Sequence, residues 1–494
     1  MEQKEETEKT EKTERDEVVF PEFDGEKTAV GAPSGERFKE LNEAPMDGMN
    51  EDVDGSKPSK KKSKRARVLG TVALSLGIAA VSFFTGYGVY AATLDPELRS
   101  LIWAKKRIQK NYIEEVTDDE FYDAVFSGVN SLLDPYSQYF SAEEYKAVLE
   151  SATGRWIGMG ITFSVVDANG NDRLLAIRVA GNSPAEQVGI KAGTYVLGFG
   201  GSEETVKDSV SYTELTGFLK DYGEGEKFVL KLRDGETGEP YYRELSMESF
   251  VENYVFYRSS TTAYSFVGKN ATQKEATDNV LSALDDQTAY IRITEFNGRA
   301  AAEFALAMKV FKEEGKKNLV LDLRMNGGGY MDILSEIAAY LCKDAKSASP
   351  VIAAAVYKNG KRDEFKASGN KFSSYFSADS KISVLADADT ASASECLIGC
   401  MVDYGTIGFD DIYLSYRGGE ARTYGKGIMQ TTYPRFFFGS TDAIKLTTAN
   451  IVWPVSGKSI HGVGVTPADG ASTVSENYAG DAEIFEAVGK ILAK

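Results

Sequence analysis

Histidine is nearly missing from this 494-residue chain, in which His461 is the single imidazole. A Ser-His-Asp triad must use that residue or be absent. Cysteine is scarce as well. Cys342, Cys396 and Cys400 make an odd number, without metal-type spacing and without neighbouring histidines, so no metal site is expected. Cys396 and Cys400 fall one helical turn apart, where a disulfide fits poorly, and a pair of small buried apolar side chains is the natural reading. Positive charge is the third shortage: 56 Lys and Arg stand against 74 Asp and Glu, a formal charge of −18. That argues against the clustered basic face that phosphate backbones require, and no nucleic-acid partner is expected.

What is present divides the chain into segments, because 494 residues exceed one ordinary core. Residues 1–56 are rich in Glu, Lys, Thr and Gly, with too few large apolar side chains to offset their ordering entropy. "KPSKKKSKRAR" then places seven basic residues between Lys57 and Arg67, and an uncharged run follows from Val68 through Leu94. At ~1.5 Å per residue that run exceeds the ~30 Å hydrocarbon thickness. The positive cluster on its amino-terminal side orients it. The expectation is a disordered cytoplasmic tail over 1–67, a single-pass transmembrane anchor in the cell membrane over 68–94, and an extracytoplasmic remainder. A cleaved signal peptide ending in "VYA" at Ala91 is the rival reading, but such peptides carry a short basic start and an apolar stretch of roughly 7–15 residues.

Over 95–153 Leu98, Leu101, Ile102, Ile108, Phe121, Val125, Val129 and Leu132 recur at helical steps, and Pro135 in "LLDPYSQYF" breaks the pattern. Between 154 and 251 the reading changes to short strands with Gly and Pro punctuation, such as "RWIGMGITFSVV", "DRLLAIRVA" and "KFVLKLRD". A polar linker is expected near "KNATQKEATDN". From 287 onward strands alternate with amphipathic helices, which predicts an α/β layer fold around a buried sheet.

Three stretches could carry chemistry. "ISVLADADTASASECLIGCMVDYG" reads as a buried strand, a polar turn and a helix. A serine at that turn meets the free N–H groups of a helix amino terminus; Ser392 or Ser394 could equally be an ordinary cap, with Glu395 suiting the helix dipole. In "TYGKGIMQ", Lys426 sits between two glycines that let its backbone approach a site closely. A lysine serves as general base only when desolvation keeps it neutral, and Gln430 could orient the amine; a solvated loop lysine is the plain alternative. "LVLDLRMNGGGY" ends a strand in bare backbone N–H groups, fit for an oxyanion or a phosphate. It lacks the Lys-Ser/Thr of a nucleotide loop.

Taken in order, "LDLRMNGGG", "TASASE", "YGKGIMQ" and "LTTANIVWPVSGKSIHGVGVTP" resemble the carboxyl-terminal processing (tail-specific) serine proteases. "LDPYSQYF", "IGMGITF" and the PDZ-like "VAGNSPAEQVGIKAG" are similar to theirs too, so the likeness runs from about 96 to 470. It implies a Clp-protease/crotonase-like α/β catalytic core over 252–494, a small mostly-β PDZ domain over 154–251, and an N-terminal helical region. Carried across, the nucleophile falls on Ser392, the base on Lys426 and its positioning glutamine on Gln430. The oxyanion donors fall on Ala393 and on Gly328 or Gly329. His461 matches a family position that is not catalytic. PDZ domains capture a terminal carboxylate on backbone amides, here those of Gly158, Met159, Gly160 and Ile161.

The resemblance implies a Ser-Lys endopeptidase acting on protein or peptide substrates, without cofactor or metal, and is compatible with a homo-oligomer. The alternative is a catalytically inactive, membrane-tethered PDZ adaptor. Three departures stand out. The segment from Ser392 to Lys426 is longer than usual, and "DDIYLSYRGGEA" is expected to form a surface loop; Gly327 replaces a proline; and Thr194 stands where an aspartate is usual.

Overall fold

The computed structural model describes residues 94–474, apart from 168–171, 209–210, 236, 268–271, 276–279, 283, 417–418 and 438–439, with isolated positions at 82, 85, 484, 486 and 489. The expected tail over 1–67, and all but three positions of the expected anchor over 68–94, lie outside the described residues. Among the described residues no helix is long and apolar enough to cross a membrane. The chain divides into two compact units, whose described parts run to Leu132 and from Leu133 onward.

In the first unit α1 (Pro96–Asn111) starts with proline at a position whose N–H needs no partner. α2 (Asp118–Asn130) starts with a capping box, in which Thr117 Oγ1 accepts the Glu120 N–H at 3.2 Å and the Glu120 carboxylate accepts the Thr117 N–H at 2.8 Å.

The second unit opens with β1 (Gln138–Phe140) and α3 (Ala142–Ser151). Helical periodicity hid β1, a short strand that exists because it pairs with a strand some 300 residues later.

Residues 155–251 build a small β body. In chain order it comprises β2 (Arg155–Gly158), β3 (Ile161–Asp167), β4 (Asp172–Val179), α4 (Pro184–Gln187), β5 (Thr194–Gly200), α5 (Tyr212–Leu219), β6 (Lys227–Asp234), β7 (Tyr241–Ser246) and β8 (Glu248–Val251). β3 to β7 form an antiparallel sheet in sequence order, which leaves β3 on an edge. β2 pairs with β8, so the body's first and last strands fasten it shut. Its own core gathers Leu174, Val196, Leu215, Phe228, Leu230 and Leu232. Thr194, the residue in place of the usual aspartate, donates its hydroxyl to Asp234 Oδ1 of the neighbouring strand at 2.8 Å.

The larger body contains β9 (Val255–Arg258), β10 (Ala263–Val267), β11 (Thr272–Glu275), β12 (Thr288–Ile293), α6 (Ala300–Glu313), β13 (Asn318–Asp322), α7 (Met331–Leu341), β14 (Val351–Tyr357), β15 (Arg362–Lys366), β16 (Ile382–Ala386), α8 (Ala393–Asp403), β17 (Ile412–Ser415), β18 (Ile428–Phe437), β19 (Ser440–Val452) and β20 (Ser472–Val474). An eight-stranded sheet runs β11-β10-β9-β12-β13-β16-β17-β20, parallel from β12 to β20. β16 is buried at every position and β13 at all but its first, as strands covered on both faces must be. A second sheet runs β1-β19-β14-β15, with β18 also on β19.

Three expectations need correction. The "DDIYLSYRGGEA" segment is not wholly a surface loop, because Ile412–Ser415 form β17, a fully buried strand between β16 and β20. The polar linker contains β11, which pairs with β10. Cys400 is not a plain apolar side chain but is disulfide-bonded to Cys342. Residues 58 apart meet there because α7 and α8 lie side by side, which one-turn spacing within α8 could not reveal. Cys396 is buried and takes no part in that bond.

Candidate active site

β13 and β16 are adjacent and parallel, so the loops leaving their carboxyl ends emerge together. The first loop, 323–330, carries the glycines; the second, 387–392, carries the serine. They are tied at several points. The Asp387 carboxylate accepts the Met325 N–H at 2.9 Å, the Thr390 hydroxyl donates to the Leu323 carbonyl at 2.8 Å, and the Asn326 carbonyl accepts both the Ala391 N–H and the Ser394 hydroxyl at 3.0 Å. Below them Asp322 is paired with Arg324. Burial alone would push its carboxyl up, but the charge and hydrogen bonds of Arg324, the charge of Arg292 and the Tyr290 hydroxyl together outweigh that and hold it down at about 2.

Ser392 has φ 53° and ψ −114°, a left-handed geometry that costs a non-glycine residue about 1–3 kcal/mol. Ser392 is the N-cap residue of α8, and the Glu395 carboxylate three residues on accepts its N–H as in a capping box, while the serine side chain stays partly exposed. Gly328 explains one glycine of the loop. A Cβ there would sit 2.6 Å from Ser392 Cβ and 2.8 Å from the Ala393 nitrogen. The loop is therefore pressed against the serine and against the first N–H of α8, which has no acceptor four residues back. Of the two proposed glycine donors, Gly328 already gives its N–H to Asn326 Oδ1 at 3.0 Å. Among the described residues no acceptor faces the Gly329 N–H.

Lys426 lies on a loop held down from two sides. Tyr424 N–H donates to the Thr390 carbonyl at 2.9 Å. Gly425 and Gly427 have no space for a side chain, because a Cβ would fall 2.8 Å from the Gly464 nitrogen and 2.7 Å from the His461 nitrogen respectively. His461 thus meets the site through its backbone, while the residue itself is exposed. Lys426 is 6 % exposed. Gln430 is buried on β18 and donates its amide to Thr447 Oγ1 at 3.2 Å, which leaves its carbonyl oxygen as the end suited to an amine.

The group that joins serine and lysine is Glu395. Its Oε2 accepts the Ser392 N–H at 3.1 Å and the Lys426 N–H at 2.9 Å; its Oε1 accepts the Gly425 N–H at 2.9 Å and the Thr423 hydroxyl at 2.5 Å. One buried carboxylate therefore fixes two turns, the second of which lies 31 residues beyond Glu395 in sequence. Burial raises its pKa to about 7 against these four bonds. Sequence reading took Glu395 as a dipole partner of α8. Only its position three residues after the serine hinted at more.

Residues 287–469, which contain both loops, match Peptidase family S41. Over that segment the chain is similar to this family. It is 25 % identical over 377 residues to a probable CtpA-like serine protease of Staphylococcus epidermidis, covering 76 % of this chain and 66 % of that one. It is 26 % identical over 378 residues to the carboxy-terminal processing protease CtpA of Bacillus subtilis, covering 76 % and 69 %. The chain thus spans about two thirds of the length of these relatives. Among solved structures it is similar to a putative S41 protease from Bacteroides fragilis, at 16 % identity and a TM-score of 0.49, over 79 % of this chain and 97 % of that one.

The S41 match begins after the small β body, where the remaining candidate residues lie. Gly158 ends β2 and Ile161 begins the edge strand β3. Between them Met159 is buried, and its carbonyl accepts the Ala185 N–H at 3.1 Å. Gly160 has φ +79°, and a Cβ there would collide with Ser183 at 2.2 Å. The loop is a tight turn locked onto the segment before α4, with its amides at the mouth of an unpaired strand edge.

Proposed function

We propose that this chain is a C-terminal processing serine endopeptidase of the Ser-Lys type, anchored in the membrane by residues 68–94 with its catalytic body on the extracytoplasmic side. Neutral Lys426 takes the proton of Ser392, whose Oγ attacks a peptide carbonyl. The N–H groups of Ala393 and Gly329 bind the oxyanion, and Lys426, now an ammonium, protonates the leaving amine. Water then releases the acyl group by the same route in reverse. The observation that carries this reading is Glu395 holding the Ser392 and Lys426 backbones on one oxygen.

Two features support the finer parts. β3 has a free edge beside the Gly158–Ile161 turn, the arrangement in which a PDZ domain adds a substrate's carboxyl-terminal peptide as a further strand. The Cys342–Cys400 disulfide suits an oxidising compartment outside the cytoplasm. The inactive-adaptor reading is the weaker one, since it leaves the strain at Ser392 and the Glu395 bridge without a purpose.

The test is digestion of an unfolded protein by the wild type, Ser392→Ala and Lys426→Ala, with the new termini mapped. Cleavage by the wild type alone is expected. Full activity in Lys426→Ala at neutral pH would remove the Ser-Lys mechanism.

A further inference from the structure

The turn at Asp134–Ser137, a helix breaker within a stretch that resembles the family's, is fastened to the catalytic body. Asp134 Oδ1 accepts the Tyr136 N–H at 2.9 Å and the Thr447 hydroxyl at 3.1 Å, while Oδ2 accepts the Ser137 hydroxyl at 2.8 Å. Ser137 Oγ in turn accepts the Thr447 N–H at 2.8 Å, and β1 continues along β19 with Gln138 opposite Lys445. Burial works against the Asp134 charge, but these bonds outweigh it and hold its carboxyl below the usual range. Thr447 also takes the Gln430 amide, so the turn and the glutamine share one anchor.

The result is the placement of Tyr136. Its ring centroid lies 4.6 Å from Lys426 Nζ, and its hydroxyl is 2.9 Å from that of Tyr424. We propose that Tyr136 is a positioning residue for the general base, its ring face covering the Lys426 amine and stabilising the ammonium formed when the Ser392 proton arrives. The proposal rests on the reading of Lys426 as base given above.

The physical argument is one of difference. A neutral amine gains little from an aromatic face, whereas an ammonium gains about 0.5–2 kcal/mol. An interaction that grows as the charge develops lowers the barrier, and one that is equal before and after does not. A carboxylate in the ring's place would attract the ammonium more strongly, but it would also keep the resting lysine protonated and useless as a base. A quadrupole is weak enough to avoid that. The titratable groups around this place include Asp134 on the same turn, Tyr424 on the lysine loop and Glu395 at the start of α8, the last engaged by the Gly425 and Lys426 N–H groups.

The experiment is the pH profile of peptide hydrolysis by the full-length protein, comparing wild type, Tyr136→Phe, Tyr136→Trp, Tyr136→Leu and Lys426→Ala. The two aromatic variants are expected to stay within about threefold of wild type, and Tyr136→Leu to lose about tenfold in kcat with little change in KM. Its acidic limb should move to lower pH, because the ammonium has lost a partner. A Tyr136→Leu enzyme with the wild-type profile, beside an inactive Lys426→Ala, would overturn the proposal and leave the lysine mechanism standing. A fall with an unmoved limb, equal in all three Tyr136 variants, would make the tyrosine mere scaffold and overturn it too. Full activity of Lys426→Ala would instead bring down the lysine reading itself.

Discussion

Two buried carboxylate sites, one at the serine and lysine turns and one where the small β body meets the large one, solve the same problem differently. Glu395 is satisfied by three backbone N–H groups and a hydroxyl. At the junction, Glu252 and Glu295 share the guanidinium of Arg178, with Glu295 Oε2 at 3.7 Å. Burial raises both Glu252 and Glu295, the latter to about 7, although Arg178 opposes the rise. Backbone donors fix geometry and cannot swing away, which suits a site whose parts must meet an atom's placement. A side-chain cation can move and let go, which suits a joint between bodies.

The widest gap between the two regions should appear in catalysis. Ser392→Ala or Lys426→Ala is expected to lower kcat by at least about 1,000-fold with the fold intact, whereas junction variants should leave a small ester's turnover nearly unchanged. Reaction of the purified protein with a fluorophosphonate, read by mass, separates these cases.

Next in size is the disulfide behind the site. Cys342 follows α7 and Cys400 lies in α8, so the bond ties together the two helices that begin at the glycine loop and at the serine. Removing it with the paired Cys342→Ser and Cys400→Ser changes should cost about 4 kcal/mol for a loop of this length, measured by urea unfolding with and without reductant. No change would mean that the thiols are not bonded in solution.

At the junction, Arg178→Met should cost about 3 kcal/mol at pH 8 by stranding buried carboxylates. The loss should shrink at pH 5, where the freed glutamates take up protons rather than remain charged. A loss that is the same at both pH values would count against a shared ion cluster.

Glu395→Gln should cost less in stability, about 2 kcal/mol, since an amide can accept from some of the same donors but cannot serve all of them. Its signature is a fall of at least about tenfold in kcat as the turns separate. The pH dependence sharpens this further. The folded pKa of Glu395 lies near 7, above the ordinary value of 4.5, so the native state holds a proton that the unfolded chain releases. Stability should therefore decline on its account from about pH 4.5 to about pH 7. The glutamine variant should flatten that share of the slope.

Much of this molecule is readable from local pattern. Met331–Leu341 follows the glycine loop as a helix, Ile382–Ala386 is a buried strand delivering the serine, and the strands between 155 and 251 separate from the alternating α/β region that follows. What pattern hid were partners far along the chain. β1 becomes a strand only because β19 lies beside it, and β17 joins the central sheet where a surface loop was expected. Glu395, Tyr136 and the Cys342–Cys400 pair were likewise illegible, each drawing its meaning from a residue at least 31 positions away.

Periodicity was enough to place the glycine loop, the serine turn and the lysine loop between their flanking elements, because residue type and spacing along one strand or helix follow from backbone geometry; it was the family resemblance that singled out Ser392 and Lys426 as candidate nucleophile and base. Which carboxylate clasps the two turns, which ring faces the amine and which thiols meet depended on packing. Those contacts arise only once parallel strands set distant loops side by side, and no local preference of the chain encodes that distance.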